Sequence, residues 1–353
     1  MQKFFIFPLL LLCFASCKTA IYNSDKSSSL NYKSLTIDTL FQDEISIRAI
    51  ELDNNKIWYT ANKGRFGFFN MDSNFKKEII LSKDSLKLEF RSIAQTMDNL
   101  YIVNVGSPAV LYKISKNELD PKLVYQENND KVFFDSMKFW DHDNGIAMGD
   151  PISNCLNIII TKDGGNSWHK IPCEKLPKTE EGEAAFAASN TNIIIKGNST
   201  WIVSGGKKSR VFHSPDRALN WKVYETPIVQ GKAMTGIFTA DFYNEKLGFV
   251  AGGNYDVQGQ NFANKAVTTN GGKTWKLIAE NLGFGYASCV QYVPESKGNS
   301  LVVVGTSGVY YSANAGKTWK LLSEDTSFYT LRFINENTAI AAGKNKMVRL
   351  NFK

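Results

Sequence analysis

Residues 161–171 read TKDGGNSWHKI, and the reading of that stretch decides the fold. A Gly-Gly pair beside a carboxylate would suit a phosphate or a cation. Three relatives follow it, however: SPDRALNWKVY at 214–224, TTNGGKTWKLI at 268–278 and SANAGKTWKLL at 312–322. Together they give the pattern [ST]-x-[DN]-x-[GA]-x-x-W, ending at Trp168, Trp221, Trp275 and Trp319 in steps of 53, 54 and 44 residues. Recurrence at such a period marks a propeller or solenoid, in which each copy is one turn of a repeated strand unit. Asn270 and Asn314 stand where the other copies have Asp163 and Asp216, and Ala218 stands where the others have glycine. A catalytic or metal-binding carboxylate does not tolerate that exchange. A side chain that only accepts backbone hydrogen bonds does, since Asn keeps the acceptor oxygen.

Three further units lack the tryptophan but keep short alternating strands separated by turn residues: IRAIELDNNKIWYTANKGRFGFFN, FRSIAQTMDNLYIVNVGSPAVLYK and LRFINENTAIAAGKNKMVRLNF. Four and three make seven, and an all-β, seven-bladed β-propeller over residues 34–353 is the expected fold. The last unit stops after what reads as its third strand, while KSLTIDTL at 33–40 is an orphan strand before the first. Exchange of that N-terminal strand into the final blade is the expected closure, since it hides an open edge.

The four boxes resemble the Asp-box, or BNR, repeat of sialidase-like propellers and of photosystem II stability and assembly factor-like proteins. The resemblance implies that Asp163, Trp168, Asp216, Trp221, Asn270, Trp275, Asn314 and Trp319 are structural, forming turns between the third and fourth strands of their blades. Function is then expected on the opposite face. The phrases FFDSMKFW, GDP, GEAAFAAS and GGNYD look like those of exported propellers from Bacteroidetes-type bacteria, a group often described as oxidoreductase or assembly-factor-like.

The chain opens MQKFFIFPLLLLCFASC, a charged start, an apolar run and small residues before a cysteine. FASC resembles a lipobox, so residues 1–17 are expected to be a lipoprotein signal ending in lipidated Cys17, with 18–33 as a tether. That places the protein in the bacterial cell envelope, on the periplasmic side or the cell surface, attached to membrane by its lipid. Cys155 and Cys173 lie equally far from Gly164 in the opening turn, so they face each other across a hairpin and are expected to form a disulfide. The charge of +7 is scattered without a basic stripe, which argues against nucleic acid. The three histidines are far apart, and no cofactor or metal is expected.

Aligning IRAI, FRSI, MKFW and LRFI places Arg48, Arg91, Lys138 and Arg332 at one position of the channel-lining strands, with Asp241 opposite. They are expected to form an anion site, with Asp135 and Tyr255 on the same face. Asp150 and Glu183 are the candidate acids should the site hydrolyse a glycoside. The expected function is a monomeric, non-catalytic binding or assembly scaffold for a protein or an acidic glycan. A sialidase-like hydrolase of acidic glycans is the alternative, and an oxidoreductase a more distant one.

Overall fold

In the computed structural model, residues 1–2, 30–83 and 86–353 are described, so Cys17 and most of the expected tether lie outside the described residues. Among the described residues no helix is long and apolar enough to cross a membrane. The body is antiparallel sheet with two three-residue 3-10 turns, Cys173–Lys175 and Tyr255–Val257. Each sheet is packed on both faces over its inner strands, so those strands read as runs of apolar residues rather than alternating ones. LVVVG at Leu301–Gly305 is buried throughout. Large side chains fill the spaces between sheets: fully buried Trp201 stacks on Phe242 of the next sheet with ring centroids 4.0 Å apart. Burying a side chain of that size contributes about 1.5–3 kcal/mol.

The expected count of seven blades is corrected: hydrogen bonding gathers the strands into six sheets, four of four strands and two of six. The units separated above as first and last form one sheet. Its order is Phe328–Asn335, Thr338–Phe352, Leu35–Asp53, Lys56–Ala61, Arg65–Asn70 and Phe75–Ile80. The cause is local. LTIDTLFQDEISIRAIELD, at Leu35–Asp53, contains neither Gly nor Pro, so nothing interrupts a 19-residue strand that pairs on both sides. Its first half lies antiparallel to the chain's C-terminal end, from Leu35 opposite Phe352 to Thr39 opposite Val348. Its second half pairs with Lys56–Ala61.

Seven inner strands, Leu35–Asp53, Phe90–Gln95, Phe134–Phe139, Ile193–Lys196, Thr235–Phe242, Ala287–Tyr292 and Phe328–Asn335, touch one another in that order, and the last touches the first, with which it shares one six-stranded sheet. They ring a central axis. The described residues from 34 onward are one such ring, and a disulfide joins Cys155 to Cys173 with Cα atoms 5.7 Å apart.

Candidate functional site

All four tryptophan turns share one hydrogen-bond scheme. Thr161 Oγ1 donates to Asp163 Oδ1 (2.8 Å) and accepts from Gly165 N–H (2.9 Å), while Ser167 N–H donates to Asp163 Oδ1 (3.0 Å). The same three bonds tie Ser214 to Asp216, Thr268 to Asn270 and Ser312 to Asn314. Despite a desolvation cost, donors from Ser167, Thr161 and Asn166 hold the Asp163 carboxyl at about 2. Trp221, Trp275 and Trp319 each donate their indole N–H to the carbonyl three residues back. Trp168 does not, and stacks edge-on to Phe139 at 5.7 Å. Every copy needs two consecutive residues at positive φ, which Ala218 supplies at 68° where Gly165 supplies 71°. Antiparallel alternation puts these turns, between third and fourth strands, at the end of the ring opposite the starts of the seven inner strands.

At that other end, six of those strands carry one extra residue in the same place. Register slips occur around Arg48, Arg91, Asp135, Phe238, Ser288 and Tyr329. Such a bulge re-aims the inserted side chain. The remaining strand, Ile193–Lys196, has no such residue. The chain before it, 185–192, crosses the axis instead, after Glu183–Ala184 has paired with Gly205–Gly206 of the neighbouring six-stranded sheet.

This crossing segment bonds to the strands around it. Asn190 Nδ2 donates to Ile93 O (2.7 Å), and its Oδ1 accepts from Met137 N–H and Ser136 Oγ (both 3.1 Å). Ser189 Oγ donates to Ser288 O (2.6 Å), and Ser189 O accepts from Thr330 Oγ1 (3.2 Å). Thr191 Oγ1 lies 2.8 Å from Thr239 Oγ1, and Arg48 Nη1 donates to Ala188 O (3.3 Å). The segment thus plugs the axis and leaves two separate mouths.

One mouth is a cavity of about 490 Å³ with Arg48, Arg91 and Asp150 in its wall. Five alanines (184, 185, 187, 188 and 233) line it, together with Phe133, Phe186, Phe238, Tyr255 and Tyr286. Phe186 stacks flat on Phe238 at 3.8 Å, and Tyr255 meets Tyr286 edge-on at 5.1 Å. Arg48 lies over the Tyr329 ring, 4.2 Å from its centroid. Its Nε has no partner among the described residues, and no carboxylate pairs with it. Burial, and then Arg91, push its guanidinium below the ordinary arginine range. Arg91 does have a partner, Glu89 at 3.1 Å.

Asp135 is fully buried, and neither of its oxygens closes a well-formed hydrogen bond. Burial and then Asp150 push its carboxyl up, opposed by Arg91 and by the Ala187 amide. Burial pushes Asp150 up to about 6, although Ala185 N–H donates to its Oδ1 (2.6 Å).

The expected basic arc does not converge. Arg48, Arg91 and Tyr255 line the large cavity, with Asp135 buried behind it, but Lys138, Arg332 and Asp241 line two clefts of about 280 and 320 Å³ that share no residue with it. The alignment slips by three residues: counted from the bulge, Asp135 matches Arg48, whereas Lys138 matches Glu51. In the clefts Lys138, Arg332 and Asp241 already have partners. Lys138 pairs with Glu51 (2.6 Å), and Arg332 donates to Leu331 O (2.7 Å), Thr330 Oγ1 (3.1 Å) and Ser189 O (3.3 Å). Asp241 accepts from Phe242 and Tyr292 N–H, both at 2.8 Å.

Glu183 is likewise not a free acid. It is buried and ion-paired with Arg210, and it accepts from Ser204 Oγ (2.5 Å) and Glu180 N–H (2.9 Å). The plug and the aromatic wall were missed in the sequence, where the only signal was the unusual run EAAFAASNTN.

No family description matches the chain, and no curated protein does. Solved structures do. YCF48 bound to a D1 peptide superimposes with a TM-score of 0.66 at 13% identity, over 92% of this chain and 98% of that one. This chain is a β-propeller. YCF48 from Cyanidioschyzon merolae gives 0.61 at 12% identity, covering 90% and 98% of the two chains. U3-55K gives 0.62 at 11%, again over 90% and 98%. Identities this low carry the fold and leave activity to the site.

Proposed function

We propose that this propeller is a non-catalytic binding or assembly scaffold that docks a protein partner through the mouth holding Arg48 and Arg91. The observation that carries the reading is Arg48. A half-buried guanidinium that faces a cavity without a carboxylate partner is costly unless something anionic comes to it. The aromatic wall beside it offers large rigid contact area of the kind found at protein interfaces. YCF48, similar in fold, binds a peptide in one of its solved structures, and U3-55K shares the architecture. The hydrolase reading is weaker, because of its two candidate acids Glu183 is buried and tied to Arg210, which leaves Asp150 as the one carboxyl in the cavity's described lining.

The reading includes anchorage in the cell envelope through lipid on Cys17, supported by FASC and the apolar run before it. It also takes the four tryptophan turns as Asp-box turns, supported by their common bonding. The test is cross-linking mass spectrometry on cells carrying wild type, Arg48→Met or Arg91→Met. A partner whose cross-links surround Tyr255 and is lost in both variants supports docking at this mouth. Cross-links unchanged in folded variants refute it, and membrane fractionation of Cys17→Ala tests the anchor separately.

A further inference from the structure

Two arginines and one carboxyl line the large cavity and a second carboxyl, Asp135, is buried behind it, yet the pairing is incomplete. Arg91 pairs with Glu89, no carboxylate pairs with Arg48, and the Asp150 charge reaches the buried Asp135, with no lysine or histidine among the cavity's described lining. Two neighbouring buried carboxylates do not both ionise readily, so Asp135 keeps its proton when Asp150 loses its own, and Asp150 is the group that can take one up. The groups facing the pair are Arg91 from Phe90–Gln95, Arg48 from Leu35–Asp53, the Ala185 and Ala187 amides of the plug, and the hydroxyls of Tyr255 and Tyr286 across the cavity. Of these groups only the two guanidiniums are cationic partners for a carboxylate.

We propose that the cavity takes up an apolar carboxylate together with one proton, the guanidinium groups of Arg48 and Arg91 receiving the carboxylate and the Asp135–Asp150 pair receiving the proton. This rests on the docking reading above and names the chemistry of the anchor. The alanine-lined base and stacked Phe186 and Phe238 receive the apolar body. When Asp150 is ionised, it offsets the arginines and repels the incoming anion. Protonation from solvent removes that repulsion, and the bound anion in turn strengthens the hold on the proton. Burial already places the Asp150 carboxyl at about 6 in the empty cavity. Affinity is therefore flat below that pH and falls up to about tenfold per unit above it, the limit for one linked proton.

The probe is 3-phenylpropionate, ionised throughout the range, with 3-phenylpropionamide as the neutral control. Calorimetry of the full chain at neutral pH, in two buffers of different ionisation enthalpy, counts protons directly, and close to one taken up per acid bound is expected. Asp150→Asn should bind at pH 7.5 as wild type does at pH 5.5, without a pH slope, and Arg48→Met should lose binding at every pH. Binding of the acid with no proton uptake and no slope overturns the linkage but leaves docking intact. Equal binding of the amide overturns the carboxylate. No binding by the acid at any pH overturns the whole proposal, while the cross-linking result still judges docking by itself. If Asp150→Asn does not fold, the wild-type proton count decides.

Discussion

The plug makes Asn190 the residue on which the centre of the ring depends. It is fully buried, it sits at a φ of 59°, and its amide closes three buried bonds, to Ile93 O, Met137 N–H and Ser136 Oγ. Asn190→Ala removes all three, each worth about 1 kcal/mol net and more where a partner is left unsatisfied. It also places a β-carbon residue in the left-handed region without asparagine's local compensation, at roughly 1 kcal/mol. The expected loss is about 4 kcal/mol, a large share of the roughly 5–15 kcal/mol that holds an ordinary domain. Asn190→Gly should recover up to about 1 kcal/mol of it, since only the backbone cost is relieved. Asn190→Asp should fare no better than alanine, because a carboxylate oxygen would face Ile93 O where the amide now donates. Equilibrium denaturation followed by tryptophan fluorescence measures all three. Asn190→Ala within about 1 kcal/mol of wild type would refute the argument that the plug is held by this amide.

Glu183→Gln should cost about 3–5 kcal/mol in the same assay, because it leaves Arg210 buried beside a neutral partner; a loss under about 1 kcal/mol would mean water screens the pair. Asp163→Asn should change stability by no more than about 0.5 kcal/mol, since Asn270 and Asn314 make the same bonds, whereas Asp163→Ala should cost about 1 kcal/mol. Asp150 should make stability fall as pH rises. Its folded carboxyl is raised from 3.8 to about 6, so the stabilisation is complete below 3.8 and is lost progressively up to about 6. The total is roughly 3 kcal/mol by linkage. Acids held low, such as Asp163 and Asp141, pull the other way in acid, so the readout is the difference between Asp150→Asn and wild type. That difference should grow in the variant's favour from pH 4 to pH 7, and a constant difference would contradict the shift.

The turns were legible because their chemistry is local. A hydroxyl, an acceptor oxygen two residues on and a residue tolerating positive φ close the turn without help from the rest of the chain, so four copies could be recognised from residues alone. The sheet count was not local. Whether 35–53 is an orphan strand followed by a first unit, or one strand belonging to two units, depends on what lies on either side of it. Both readings suit the same apolar pattern. The absence of a breaker in LTIDTLFQDEISIRAIELD favoured the continuous strand, and the repeat period concealed it.

The site was misread for a reason the sequence partly contains. Matching IRAI and FRSI to MKFW and LRFI aligns similar letters, but the bulge inserts a residue and leaves strand similarity a poor guide to position. Partner glycines are the better anchor. Gly149 lies opposite Phe134, Gly252 opposite Ile237, Gly305 opposite Ala287 and Gly343 opposite Phe328, each one residue before the inserted position. A β-carbon at any of the four would come within 2.5 Å of the carbonyl oxygen of a residue just before that strand's inserted position, which is why glycine stands there. In the first two units the same places hold Ala61 and Asn104, opposite Ile47 and Phe90. With no glycine to mark the register, Arg48 and Arg91 slid three residues out of place. Restored, they stand level with Asp135, so the chain sets Arg48, Arg91 and the buried carboxyl of Asp135 on one ring. That juxtaposition comes from bulges, which no periodicity in the sequence announces, and it makes this mouth rather than the other the place where a ligand would relieve unpaired charge.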